Sequence, residues 1–597
     1  MTRRRAGAAL LLVLLCALLF LAGLGRAGLN DPDEGRNAEV AREMLVSSDW
    51  VTPRINDARY LDKPPFYFWA VAACYRLLGV NEATARLPSA LSAIAAVGLT
   101  VWFARRRLGG ARVGLLAGFL LALSPLYIVF ARLVIFDMLL LLCMTASIMA
   151  FHEAMEGEGR GRLAPAVAFA AAGIGTITKG PVALVAPLLV AIVWSLVRRR
   201  PALLLRLRWG QGLLIYLAII APWLWLVESR NPGFLKYALL GENLARMAAN
   251  PYDTQRPFHF YFKVIVPGLF PWIVLCLVQG LRALWRRARR GRPADTGAPA
   301  NPAGVAGTGS LAEQFVAVWL AVLLLFFSLI ASKRPSYILP CAVPVAILAA
   351  RLIARACPGR DENAALDDEA RGDLAWGATV VAAGCLVAAA AAFTAADAGG
   401  GRQHVTLVAQ AGLLRMTAGG LLVVAVLLFL ARRDRRAPII LAASALPLLC
   451  MMPLARAAGR QIENTRSSRG LSRFLEPRLA PQDKLICFEE YRPGLNFYLR
   501  RPIYQVTRAG RIFTSNYIER NLDQFRDDPG FRLLPKERLR PTLLDPGSTT
   551  YILAARKEYG PLLEAAGLPL QPVWEEGEFG LFVRAVDAQP GAAQAGD

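Results

Sequence analysis

The sequence predicts a polytopic α-helical membrane protein of about thirteen spans, closed by a small α/β domain. Three observations carry that prediction. Of the 597 residues, 55% are hydrophobic and only 19% charged, and the mean hydropathy is +0.40, a composition outside the range of ordinary soluble domains. Apolar stretches near the length needed for a hydrocarbon core of roughly 30 Å recur from residue 7 to about residue 456, separated by short polar connections. From about residue 457 the pattern changes to "KLICFEEY", "RPIYQV", "TTYILAARKEYGPLLEAAG" and "GLFVRAV", segments typical of a small α/β domain. The chain therefore divides into a membrane domain, residues 1–456, and a terminal domain, residues 457–597.

Charge placement orients the membrane domain. The formal net charge is +24, but the arginines cluster at the ends of apolar runs, at Arg3 to Arg5, Arg105 to Arg107, Arg160 and Arg162, Arg198 to Arg200, Arg286 to Arg292 and Arg432 to Arg436. That is the positive-inside pattern, and without interleaved aromatics it argues against a nucleic-acid partner. The amino terminus is expected in the cytoplasm of a bacterial inner membrane, with the alternate connections and the terminal domain in the periplasm. Nine scattered cysteines give no disulfide framework within the terminal domain, and three histidines give no His-rich metal site.

The first apolar run, "AALLLVLLCALLFLAGLG", is expected to be an uncleaved span. It opens on an outer loop, residues 29–81, that begins "LNDPDEGRNAEVAREM". Asp31, Pro32 and Glu34 have the spacing of a helix start, with Asp31 as cap and Glu34 three residues on. Asp33 is not needed by that cap. At the second helical position the dipole and free amides would keep it ionised. An extended "DWVTPRINDARYLDKPP" follows, then "FYFWAVAACYRLLG". As a full span the latter would put Arg105 to Arg107 outside, so it is expected to lie at the interface with Phe66, Tyr67, Phe68 and Trp69 at headgroup level.

Further along, "ARLVIFDMLLLL" puts Asp137 near the outer surface and "GIGTITKGPVAL" places Lys179 at an outer turn. The long outer loop "ESRNPGFLKYALLGENLARMAANPYDTQRPFHFYFK" holds Arg246 and Arg256, and "SKRPSYILP" holds Lys333, Arg334 and Tyr337. "RRARRGRPADTGAPANPAGVAGTGS" has the composition of a cytoplasmic linker. The terminal domain shows no phosphate loop, nucleotide fingerprint or catalytic triad and is expected to cap the membrane domain.

Charges at a lipid boundary are expensive unless they face a cavity. Carboxylates together with several cations suit a reaction whose leaving group is a membrane-anchored phosphate: the cations stabilise developing charge while a carboxylate handles the acceptor. Plainer roles compete. Asp31 and Glu34 serve as caps, Lys63 as a snorkelling lysine, Asp137 as half of a structural ion pair, and Lys179 as a boundary marker.

The motifs "PDEGRNAEVAREM", "DWVTPRINDARYLDKPPFYFW", "ARLVIFDMLL", "TKGPVAL" and "SKRPSYILP" resemble the bacterial aminoarabinose transferases that modify lipid A, members of the GT-C group with the protein O-mannosyltransferases. The resemblance covers the membrane domain. It implies a GT-C-type fold, a polyprenyl-phosphate sugar donor, lipid A or another envelope acceptor, an outward-facing site, contact with membrane lipids and an inverting displacement. It also makes Asp33 the principal catalytic carboxylate and Asp137 a second acid, with Lys63, Arg246, Tyr337, Lys333 and Arg256 around the donor phosphate. Glu34 and Lys179 become possible substrate contacts, and Asp62 matches an acidic position that can contact a metal in relatives. No cofactor is expected, and a divalent metal is not required. The segment "DTQRPFHFYF" departs from the family by lacking a histidine before its basic-proline-aromatic group, and "KRPSY" is a variant basic turn. The competing expectations are O-mannosyltransferase-like transfer to another acceptor and a flippase for lipid-linked sugars. A flippase fits poorly with charges concentrated outside and no internal repeat.

Overall fold

The computed structural model describes residues 3–157, 163–238, 256–289, 311–357, 367–398, 404–433, 465–507, 515–521, 532–576 and 578–584, with isolated positions between 434 and 464. Among them, seven helices are long and apolar enough to cross a membrane, or up to nine if each of two bent pairs is one span. The chain starts with α1 (Arg3–Cys16), continued by a π-turn over Ala17–Leu21. Then come α2 (Asp33–Ser47), the hairpin β1 (Arg54–Ile55) and β2 (Ala58–Arg59), α3 (Phe66–Leu78) and α4 (Glu82–Arg107). Helices α5 (Gly110–Ala122) and α6 (Pro125–Ala131) form a bent pair at 68°. They lead into α7 (Asp137–Glu156), α8 (Ala164–Lys179), α9 (Val182–Val197) and α10 (Trp209–Arg230). Later helices run over Leu311–Leu329, Ala342–Ala356, Asp368–Ala398 and His404–Arg433.

Helix α7 sets the polarity of the bundle. Its 20 residues, at about 1.5 Å each, separate its ends by roughly 30 Å. At the carboxyl end Glu153 accepts from Arg107 at 2.6 Å and Arg106 at 3.3 Å, and Glu156 pairs with Arg198 at 3.4 Å. At the amino end lie Asp137 and the cavity described below. The arginine clusters of α4 and α9 therefore gather at the end of the bundle opposite Asp137.

Helix α3 is short for a span, and of the four aromatics expected at headgroup level two, Tyr67 and Phe68, instead face the bundle, while Phe66 and Trp69 are half-buried. Tyr67 and Phe68 are fully buried, their rings 4.8 Å and 5.3 Å from that of Phe136, and Tyr67 shares a hydrogen bond with Ser89. Packing against α4 and the head of α7 offers these rings more contact than an interface would.

The terminal unit carries a five-stranded sheet in the order β4-β3-β5-β7-β6, with β3 at Lys484–Phe488, β4 at Tyr504–Val506, β5 at Thr550–Ala555, β6 at Leu570–Glu576 and β7 at Phe579–Arg584. Strand β3 pairs in parallel with β4 and β5, while β7 pairs antiparallel with β5 and β6. The period of two along β3 sends Ile486 and Phe488 to one face, with Ile552 and Leu562, and Leu485 and Cys487 to the other, with Leu471 and Leu495. Helices cover both faces, which is why this strand is an unbroken apolar run.

The terminal unit is sewn onto the first outer loop. Asp31 accepts hydrogen bonds from Ser468 Oγ and from the Gly494 amide, the latter at 2.7 Å, and faces Arg492 at 3.7 Å. The expected cap is thus displaced: α2 begins at Asp33 after Pro32, and Asp31 binds the terminal unit instead. At the tip of the β1–β2 hairpin, Asn56 and Asp57 adopt the positive φ values of 53° and 67° that a tight hairpin turn requires. The Asn56 side chain donates to the Ile503 carbonyl at 2.7 Å and accepts from the Ile503 amide at 2.9 Å, and its oxygen also accepts from Asn496. A glycine is needed at 35, because a Cβ there would lie 2.2 Å from Asp31 Oδ1 and 2.6 Å from the Gly494 amide.

Candidate active site

The amino end of α2, the loop between β2 and α3, the head of α7, the turn after α8 and the segment 332–337 surround a cavity of about 700 Å³, within the size range of sites that enclose a small ligand. Its wall is divided. Asp33, Arg36, Asp62, Lys63, Asp137, Lys179, Arg334 and Tyr337 contribute the polar part, while Phe130, Ile135, Leu140, Val185, Phe326 and Ile330 contribute apolar surface.

Asp33 is the first residue of α2, and its side chain is 54% exposed, open to the cavity. Arg36, one turn along, donates to it at 2.5 Å, the geometry that a spacing of three gives on a helix. The surrounding protein would push this carboxyl up, but Arg36, Arg334 and Lys63 outweigh that and hold it below its ordinary value. Burial works against charge on Arg36, yet Tyr60, Asp33 and Asp62 more than compensate and keep it firmly cationic.

On the opposite wall Lys179 donates to Asp137 at 2.5 Å, and its ammonium sits 4.8 Å from the centre of the Tyr337 ring. Asp137 opens α7 and Lys179 ends α8, so each charge complements the dipole of its own helix. Lys63 lines the same cavity and donates to the Asp62 carbonyl at 2.9 Å. The Asp62 carboxylate accepts three hydrogen bonds: from Tyr237 Oη at 2.6 Å and from the amides of Tyr517 at 2.9 Å and Asn516 at 3.0 Å.

Of the residues expected from the sequence, Asp33, Asp62, Lys63, Asp137, Lys179 and Tyr337 meet here. Three do not line the cavity. Glu34 is 3% exposed, accepts from Nε and Nη2 of Arg86 at 2.9 Å each and from the Val134 amide at 2.9 Å, and reaches back to the Asn30 amide. Lys333 is 5% exposed and its ammonium is committed to the carbonyls of Ile330 and Arg256. The neighbouring Arg334 enters the cavity in its place. Arg256 is exposed and contributes its backbone to Lys333, and Arg246 lies outside the described residues. Arg36 and Asn516 are among the wall residues that were not anticipated. Arg36 had a signal in its spacing from Asp33, whereas Asn516, from the terminal unit, had none. Among the described residues no group of three His, Cys, Asp or Glu side chains is placed to hold a metal ion.

Residues 62–226 match the family described as dolichyl-phosphate-mannose-protein mannosyltransferase. The chain is 31% identical over 349 residues to the undecaprenyl phosphate-alpha-4-amino-4-deoxy-L-arabinose arabinosyl transferase 1 of Pseudomonas fluorescens, a match covering 58% of this chain and 57% of that protein. It is 30% identical over 346 residues to the corresponding transferase of Edwardsiella ictaluri, covering 58% of this chain and 59% of the relative. The chain thus spans a little under three-fifths of the length of the curated relatives it matches. The crystal structure of ArnT from Cupriavidus metallidurans bound to undecaprenyl phosphate superposes with a TM-score of 0.74 at 24% identity, covering 98% of this chain and 99% of that one. The resemblance read from the motifs stands: this chain has the helical membrane fold of ArnT and is a sequence relative of the undecaprenyl phosphate-aminoarabinose arabinosyl transferases.

Proposed function

We propose that this chain is an inverting membrane glycosyltransferase that moves 4-amino-4-deoxy-L-arabinose from undecaprenyl phosphate to lipid A in the periplasmic leaflet of a bacterial inner membrane. The observation that carries the proposal is the divided cavity, with Asp33 among Arg36, Lys63 and Arg334 beside apolar surface suited to a polyprenyl chain. In the reaction the bond from the sugar anomeric carbon to the donor phosphate oxygen breaks, and a bond to the acceptor oxygen forms on the opposite face. The electron pair leaves on undecaprenyl phosphate, where the three cations neutralise the added charge. If the acceptor is a hydroxyl, Asp33 takes its proton. If it is a lipid A phosphate oxygen, no proton moves, and Asp33 orients the reacting groups. The chain's own cations supply the neutralisation, so the reaction as written needs no divalent metal.

Topology supports the same reading. Thirteen spans result if the seven long helices and two bent pairs are joined by Arg5–Leu21, α8, α9 and one further span near residues 437–456, a segment outside the described residues. With the arginine-rich end of α7 in the cytoplasm, the cavity and the terminal domain, residues 457–597, both face the periplasm. The test is transfer by the purified full-length chain in detergent, given undecaprenyl phosphate-aminoarabinose and lipid A. Wild type should transfer the sugar, and Asp33→Asn should lose activity by about 10²–10⁴-fold with its thermal melt unchanged. Transfer only across two compartments would indicate a flippase, and normal turnover by Asp33→Asn would remove Asp33 from the mechanism.

A further inference from the structure

Helix α2 grips the turn before α7 at a single residue. The Val134 amide donates to Glu34 Oε1 at 2.9 Å, and the Val134 carbonyl accepts from Asn37 Nδ2 at 2.8 Å. Glu34 and Asn37 are three positions apart and share one face of the helix, and all three residues are buried. Both polar groups of the Val134 backbone are thus met by side chains of α2, in a turn that has no helix or sheet ladder to meet them.

This turn carries the far wall of the cavity. Ile135 and Phe136 line it, and Asp137, three residues after Val134, opens α7 and receives Lys179. On the near wall Asp33 opens α2, one helical turn before Asn37. The two carboxylates therefore stand at the heads of two helices that are joined through Val134. Ser89 donates to the Ile135 carbonyl at 3.2 Å, and the Tyr67 and Phe68 rings pack on Phe136. Those braces come from α4 and α3, whereas the grip on Val134 comes from the helix that bears Asp33. Of its two halves, Glu34 also holds Arg86 and Asn30, so its removal disturbs more than the turn. Asn37 is the more selective half: its Oδ1 has no partner among the described residues, and the bond to Val134 fixes how the carboxamide sits.

We propose that Asn37 is a positioning residue for the transfer reaction. Through the Val134 backbone it holds the Asp137–Lys179 pair at its working distance from Asp33, so that a bound donor meets both walls at once. This inference rests on the reaction proposed above.

Two replacements of similar size test it. Asn37→Leu removes the donor and leaves the Val134 carbonyl without one. Asn37→Asp keeps the shape but can donate to that carbonyl only when its carboxyl is protonated. Burial beside Glu34 favours the protonated form, which prevails below the raised pKa and gives way as pH rises. Transfer from undecaprenyl phosphate-aminoarabinose to lipid A is measured on the full-length chain in detergent, with undecaprenyl phosphate affinity and thermal melts on the same preparations. Asn37→Leu should lose about 10–10²-fold in kcat, the effect of misplacing reacting groups by about 1 Å, with lipid affinity near that of wild type. For Asn37→Asp the ratio of its kcat to that of wild type should rise as pH falls from about 8 to about 5.5, as the carboxyl regains its proton. Wild-type kcat in Asn37→Leu overturns the inference. A parallel loss of kcat and lipid affinity also overturns it, since Asn37 would then serve only the fold. Should Asn37→Leu fail to fold, Asn37→Asp decides alone, and a kcat ratio that ignores pH overturns the inference while leaving the reaction standing. A wild-type chain that transfers no sugar overturns the reaction itself, and this inference with it.

Discussion

Asp33 and Arg36 stand one helical turn apart at the head of α2, joined by a 2.5 Å ion pair that opens on the cavity. The arrangement keeps a carboxylate ionised within reach of a substrate while holding it in one orientation.

A pH profile follows from that pair. The Asp33 carboxyl is held below its ordinary value of 3.8, so its charge-dependent contribution is complete above that value and is lost only as pH falls through the lower folded value. The acidic limb of kcat/KM assigned to Asp33 should therefore lie below the ordinary aspartate range. Arg36→Gln removes the strongest opposing charge and should move that limb upward while lowering kcat. Steady-state rates at a series of pH values would check both shifts, and a limb that ignores Arg36 would separate the two residues.

The consecutive cations Lys333 and Arg334 should part company on mutation. Arg334→Gln removes a cavity charge and should weaken undecaprenyl phosphate binding by about tenfold or more, as loss of a charge-assisted hydrogen bond does. Lys333→Gln should leave lipid affinity near wild type and lower the melting temperature, because its ammonium tethers the backbone of the Arg256 segment. Binding and melting measured on the same preparations would tell the two apart; the reverse pattern would put Lys333 in the cavity.

Glu34 and Arg86 form an ion pair in which each side chain is 4% exposed. Removing one partner leaves a buried charge unmatched, a loss of roughly 3–5 kcal/mol. Glu34→Ala should accordingly melt far below wild type in detergent, with whatever folded fraction remains still binding undecaprenyl phosphate. A fully stable but inactive Glu34→Ala would instead assign Glu34 to the chemistry.

How much of this was legible in the sequence depended on how local each relationship is. Asp33, Lys63, Asp137 and Lys179 could be placed at one membrane face because hydropathy and arginine clusters order the segments along a single axis. Whether a loop residue points inward was not legible. Lys333 and Arg334 exchange places by one position, since the backbone between Ile330 and Pro335 turns the lysine toward carbonyls. The apparent cap at Asp31 was misleading for a different reason: its partners, Ser468 and Gly494, lie more than four hundred residues away. The same distance hid Asn516, whose place in the wall depends on a tertiary joint with no local pattern.

The hairpin tip at Asn56, the acid at Asp31 and the acid at Asp62 are three stitches between the opening loop and the final unit. Each leaves a polar group stranded if only one side is exchanged. A chimera built from two such chains must therefore trade both segments as a matched set, however far apart they lie in the gene.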